Sequence, residues 1–249
     1  MKEWKTSSPI GGCRIRMAED VFILEVDEPI RTLSSAVLNG GLVDAASMIN
    51  LQVPRSFKGD PHAVLLQKAR RLRLRAPTVG FMTAVDMRRL AVCTHRFGGR
   101  VLSAYVTAGV SHPAAAGDQV TAYSHGRAGT INIFLLVDGN LTDGCLVNAV
   151  QTAVEAKTAT LRNLKVRSRF SKKTATGTVT DAIGVACTGR GREISYAGTA
   201  TNLGQTIAKA VMEGIERSLG FKPRRSMLGV DPWLSAKSLR DEEGPHETF

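Results

Sequence analysis

The sequence predicts an α/β protein, a layered sandwich around a mixed β-sheet forming a single domain. Three observations carry that expectation. Strand-like β-branched runs interleave with helical patterns along the chain. Tight-turn signals such as Asn39-Gly40-Gly41 join neighbouring extended runs, so the pairing cannot all be parallel. Thr130 to Asp138 is apolar at both parities, as a central strand covered on both faces must be. The 249 residues, 43% hydrophobic and 22% charged, suffice for one sizeable core. The expected division is a flexible N-terminus over 1–12, one domain over 13–222 and a mobile C-terminal tail over 223–249.

Val21 to Val26 reads as a strand reaching a turn near Asp27-Glu28-Pro29. Thr32 to Gly41 is a second extended or turning segment, ending in Asn-Gly-Gly, where positive φ is available. A basic helix spans 61–75, beginning after Pro61. Thr78 to Val85 is a buried strand, and Asp86 starts a short helix. Val101 to Val110 is a strand leading into the loop Ser111 to Asp118. Asp143 to Leu164 is the longest helical pattern. Thr174 to Thr188 is a threonine-rich strand with Gly177 and Gly184 inside it. Asn202 to Leu219 is a helix with Asn202 and Gln205 as its capping pair and Gly220 as its stop.

Composition excludes several classes. The longest unbroken apolar run, Ile133 to Val137, has five residues, far short of the ~20 of a membrane span. The first five residues lead into no apolar stretch and do not resemble a signal peptide. Cys13, Cys93, Cys145 and Cys187 are widely spaced, with no His at ligand spacing. Neither a zinc site nor a disulfide framework is expected, and reduced thiols fit a cytoplasmic location. The net charge of +11 is concentrated in residues 61–100, with nine basic and one acidic, and 165–173, with five basic. Such clusters either meet phosphates or are solvated loop faces. Aromatics are only 5% and no RNA- or DNA-binding motif is present, so nucleic acid is not the expected partner. A homo-oligomer is compatible with the sequence.

Lys157 is the most informative residue. With Val150 as zero at 100° per residue, Leu146, Ala153, Val154, Leu161 and Leu164 fall within about 60° and Lys157 about 20° away. That places an ammonium on the stripe expected to face the core. Three outcomes are open: an ion pair, a snorkelling side chain, or a base or oxyanion donor. Glu155 falls on the polar face. Thr174, Thr176, Thr178 and Thr180 would present one row of hydroxyls on a straight strand, with Gly177 admitting a close approach to the backbone. Asp181 would then point away, unless the chain bends at Gly177 or Gly184. Asn132, within an apolar strand, must find hydrogen-bond partners. No Walker loop, GxGxxG, GxSxG or HExxH pattern is present.

The blocks LSSAVLNGGL (33–42), VGFMTAV (79–85), VTAGVSHPAAAGD (106–118), GTINIFLLVD (129–138), AVEAKTATLRNL (153–164), ATGTVTDAIGVAC (175–187) and YAGTATNLGQTIAKAV (196–211) resemble the adenosylcobinamide amidohydrolases. The resemblance spans roughly residues 31–220. It implies a hydrolase of corrinoid salvage, cleaving the amide between aminopropanol and a propionate arm of adenosylcobinamide to give adenosylcobyric acid. A small-molecule corrinoid is the implied partner, and cobalt enters only within that substrate, with no separate cofactor or metal. A non-catalytic corrinoid-binding protein is the alternative.

Hydrolysing an unactivated amide needs an activated nucleophile, an oxyanion donor and a proton for the leaving amine. The candidate catalytic residues are Glu155, Lys157, Asp181 and Thr178. In one arrangement Glu155, or second Asp181, activates water while Lys157 holds the oxyanion or protonates the amine. In the other, Thr178 or Ser35 is the nucleophile and Lys157 the base. Candidate substrate-binding residues are Ser35, Asn39, Gly40, Asn132, Thr176, Gly177 and Thr180, whose polar groups suit the neutral amide arms of a corrin. Replacing Lys157 is expected to abolish turnover while leaving the fold largely intact.

Overall fold

The computed structural model describes residues 4–119 and 129–221. Its strands are β1 (Trp4–Ser7), β2 (Cys13–Ala18), β3 (Val21–Ser34), β4 (Gly41–Gln52), β5 (Thr78–Thr83), β6 (Ala91–Phe97), β7 (Arg100–Ala108), β8 (Pro113–Ala114), β9 (Ile131–Val137), β10 (Asn140–Leu141), β11 (Gly177–Thr178), β12 (Ala182–Cys187) and β13 (Glu193–Ile194). The helices are α1 (Pro61–Arg71), α2 (Asp143–Asn163) and α3 (Asn202–Ser218). One mixed sheet runs β1-β2-β3-β12-β9-β7-β6, and β4 pairs β3 on its other side and carries β5.

The 14-residue strand β3 is the hinge of the architecture. The turn expected at Asp27-Glu28-Pro29 does not reverse the chain. Between Glu25 and Ile30 the register against β4 shifts, a bulge at a proline that could not have donated to a ladder. Before the bulge β3 pairs β2, and after it β12. The bend folds one sheet into two facing layers.

Side-chain parity then assigns the cores. On β9, Ile131, Ile133, Leu135 and Val137 pack under α2 and α3. Phe134 and Leu136 turn the other way, onto Phe22, Leu24, Met48 and Phe81 of the second layer. Val21, Ile23, Ile49 and Leu51 face outward again, against Leu65 and Ala69 of α1. The result is helix, sheet, sheet, helix. It explains why Thr130 to Asp138 carries apolar residues at both parities.

Several boundaries differ from expectation. Residues 4–7, within the segment expected to be flexible, pair with β2, and Ile10 is buried. α1 stops at Arg71 rather than Arg75, because Arg73 turns to positive φ. The cap of α3 is Thr201, whose Oγ1 accepts from Gly204 N at 3.0 Å, not Asn202. The tail over 223–249 lies outside the described residues. Among the described residues, no helix is long and apolar enough to cross a membrane.

The edge strand β6 is fastened to α3 by His95 Nε2 against Glu213 Oε2 at 2.9 Å. That hydrogen bond, followed by the Arg217 charge, holds the Glu213 carboxyl below its ordinary 4.5. A depressed carboxylate contributes stability above its unfolded value and loses it as pH falls through the folded one. The stability difference between wild type and Glu213→Gln should therefore be full at pH 7 and shrink as pH drops below 4.5. Urea unfolding across pH 3 to 7, an assay window of ~4 pH units, checks this.

Candidate functional site

α2 begins at Thr142, whose Oγ1 accepts from Cys145 N at 3.1 Å. Its buried face centres on Ala149, Ala153, Ala156 and Thr160, about 80° round from Val150. Val154, expected on the core stripe, is 40% exposed. Thr152, expected on the polar face, is buried with its Oγ1 donating to Ala197 O at 2.8 Å. Small residues let α3 and the sheet approach closely, so the packed face follows them and not the larger apolar side chains. Lys157 thus sits on the flank of the buried face, where its chain can reach sideways.

It reaches Asp181. Lys157 Nζ lies 2.6 Å from Asp181 Oδ2, and both side chains are about nine-tenths buried. The carboxylate is filled by three further donors: Thr178 N at 2.9 Å on Oδ2, Ile131 N at 2.9 Å on Oδ1, and the Thr178 hydroxyl on Oδ1. An ion pair taken out of water needs such additional bonds to hold together.

The expected strand from Thr174 to Thr188 is broken, and that break builds the site. Gly177 and Thr178 form a two-residue bridge to Pro113–Ala114, Val179–Thr180 turn, and only then does β12 begin. The bend falls at Val179–Thr180 rather than at either glycine. It corrects the threonine row. Thr176 accepts from Ala116 N at 2.9 Å through its hydroxyl, Thr180 is exposed, and Thr178 alone turns onto Asp181. Gly177 is required for a steric reason. A Cβ there would stand 2.5 Å from Asp181 Oδ2 and 2.8 Å from Lys157 Nζ.

The other candidates divide. Ser35 joins the site's edge: its Oγ accepts from Ile183 N at 3.1 Å, two residues beyond Asp181. Asn39 and Gly40 are exposed in the turn after β3, with Asn39 Nδ2 donating to Thr78 O at 2.8 Å. Asn132 is buried in the interior. Its Nδ2 donates to Asn50 Oδ1 and Met82 O, and its Oδ1 accepts from Thr130, so its amide is occupied between the sheet layers. A cavity of about 10 Å³, room for one water, lies between those layers, and Lys157 does not line it. Glu155 is exposed on the outer face of α2, almost opposite Lys157 round the helix. It is not brought to the pair.

Sequence reasoning missed His112. It is buried, with Nε2 2.9 Å from Arg169 Nη1, in the loop whose next two residues pair with Gly177–Thr178. The basic segment 165–173 clasps that loop. Arg169 N donates to Pro113 O, Lys173 Nζ to Gly117 O, and Ser168 Oγ to Asp118. The hydroxyls of Ser168 and Ser171 hold the Asp118 carboxyl below the usual range. The only signal was His112's place inside the block VTAGVSHPAAAGD. Burial pushes the Cys13, Cys93 and Cys145 thiols up to about 11, away from thiolate chemistry.

These strands and loops coincide with a family pattern. The model of the adenosylcobinamide amidohydrolases matches residues 6–225. The chain belongs to that family. It is 34% identical over 198 residues to an adenosylcobinamide amidohydrolase of Methanosarcina mazei, covering 76% of this chain and 90% of that one. A Halobacterium salinarum protein of the same name is 30% identical over 219 residues, covering 84% and 89%. An uncharacterized protein of Methanocaldococcus jannaschii is 35% identical over 155 residues, covering 55% and 60%. The family match contains every residue of the Lys157 constellation.

Because the pair is buried, replacing one partner strands the other. The expectation that the fold tolerates loss of Lys157 is therefore revised. Lys157→Met and Asp181→Leu should each destabilise by roughly 3–5 kcal/mol, while the double variant Lys157→Met/Asp181→Leu should cost less than the two single losses added together. Urea-denaturation free energies of the four proteins form the cycle. Additive losses would show that the two side chains do not act as a pair.

Proposed function

We propose that this protein hydrolyses the amide joining aminopropanol to the propionate arm of adenosylcobinamide, giving adenosylcobyric acid and the amino alcohol. The supporting observation is the Lys157–Asp181–Thr178 constellation, set in a chain of the amidohydrolase family. Besides helping to hold the pair together, the Thr178 hydroxyl is half-exposed, so a group bonded to the carboxylate is also open to a ligand.

All four acceptor positions of Asp181 are engaged. Only one of its donors, the Thr178 hydroxyl, is also a nucleophile. In the proposed first step Thr178 Oγ bonds to the scissile carbonyl carbon and its proton passes to Asp181 Oδ1. The remaining N–H groups of Lys157 serve the developing oxyanion. Collapse breaks the carbon–nitrogen bond, and the departing amine takes the proton from Asp181. Water then attacks the Thr178 ester, giving its proton to Asp181, and the released Thr178 oxygen takes that proton back. Glu155 has no part in this scheme.

Incubation with adenosylcobinamide and chromatography of the corrinoid product is the direct test. Binding without release of aminopropanol would instead identify a corrinoid carrier. Thr178→Val should lower kcat at least about a hundredfold, Thr178→Ser should keep measurable turnover, and an acyl adduct should be trapped on Thr178 by mass spectrometry. Wild-type kcat in a folded Thr178→Val protein would assign the attack to water.

A further inference from the structure

We propose that the groove between the outer flank of α2 and the face of β3–β4 left exposed among the described residues seats the corrin ring; this rests on the corrinoid reading above. The floor comes from register. Leu33 lies opposite Leu42 in the antiparallel β3–β4 pair, so the two side chains share one face. Leu33 packs against the core beneath α2 and α3, while Leu42, one strand further out, is 44% exposed.

The wall is a stripe of valines. Val147 is 49% exposed, Val154 40%, and Val150 is half-buried between them. The three lie within about 60° on α2. Two contacts show which way this flank looks. Asp143, on the same flank, accepts from Arg31 of β3 at 2.6 and 2.8 Å. Thr152, on the opposite flank, bonds to Ala197 just before α3. The valines therefore overlook β3 and β4.

The same registers set the direction of the groove. Arg31 is level with Cys187, Leu33 with Val185 and Ser34 with Gly184, and Ser35 meets Ile183. The groove thus runs from the Arg31–Asp143 pair at one end to Ser35, Lys157 and Asp181 at the other. The helix between Asp143 and Lys157 rises about 21 Å.

The occupant follows from this continuity. A scissile amide at Thr178 hangs from the ring by a short arm, so the ring must lie beside the constellation. On one side stands the 165–173 loop with five basic residues. On the other stands the groove, apolar along its length and charged only at its ends. A broad, conjugated ring with uncharged amide arms matches the groove. Valine is a stiff and indifferent helix former, and nothing in water favours two of them on an open helix face. A second copy of this chain is the competing occupant.

The test uses the full chain with Val147→Asp and Leu42→Asp, both remote from Lys157. Hydroxocobinamide binding is read by equilibrium dialysis and adenosylcobinamide turnover by product chromatography. Each variant should raise Kd and KM by about tenfold or more while kcat stays within about twofold. Val147→Thr, close in shape, should raise Kd about threefold and serves if a charged variant does not fold. Unchanged Kd in folded variants of a protein that still turns over would overturn the groove and leave the enzymatic reading standing. Loss of an oligomer in size-exclusion light scattering, with Kd unchanged, would likewise overturn it and assign the face to self-association. Wild-type protein that neither binds nor cleaves corrinoid would overturn both.

Discussion

A lysine carried sideways from the flank of a helix onto a carboxylate in the following loop organises everything around it. The Lys157–Asp181 pair is almost without water, so neither charge is tolerable without the other. It ties α2 to the start of β12, and through Ile131 and Thr178 it also holds the start of β9 and the 177–178 bridge. Three elements distant in sequence converge on one oxygen pair. Removing the side chain at Gly177 is what lets the backbone close over it.

The architecture serves that convergence. β9 and β12 are parallel neighbours, so their N-terminal ends lie side by side, and the loops entering them bring Ile131 N and Asp181 together. The bulge in β3 lets a single strand belong to both layers. It also carries Ser35 to the edge of the site and, among the described residues, leaves a strip of β3–β4 open beside α2. Where helices cover the sheet the protein has a core. Beyond α2, among the described residues, the start of β4 stays open, with Leu42 44% exposed.

The basic segments have a local account in this structure. Lys68 pairs with Asp20 at 2.5 Å, and Arg75 donates to the carbonyls of Val26 and Asp27. Lys68, Arg70 and Arg71 stand in the last turn of α1, where the helix dipole favours cations. The second cluster, 165–173, clamps the 111–118 loop and keeps His112 buried beside Arg169. Charge that reads as a patch in the sequence is largely charge holding loops in place.

How much of this the amino acids disclose depends on range. Periodicity at short range carries far: it marks Thr130 to Asp138 as a doubly covered strand and Asp143 to Leu164 as a long helix, and it singles out Lys157 as a cation on an apolar stripe. The motif blocks likewise carried the family. Which face of α2 is buried was set by small residues meeting α3, so the stripe drawn through the larger apolar side chains was off by about 80°. The meeting of Thr178 with Asp181 needed a turn at Val179–Thr180, held by a bridge to Pro113–Ala114 more than sixty residues earlier in the chain. No local pattern encodes such a bridge. The sequence alone determined which residues could bear charge, hydroxyl or apolar surface. Tertiary structure decided which of them meet, because hydrogen bonds and buried ion pairs depend on distances of a few ångströms that only the closed fold sets.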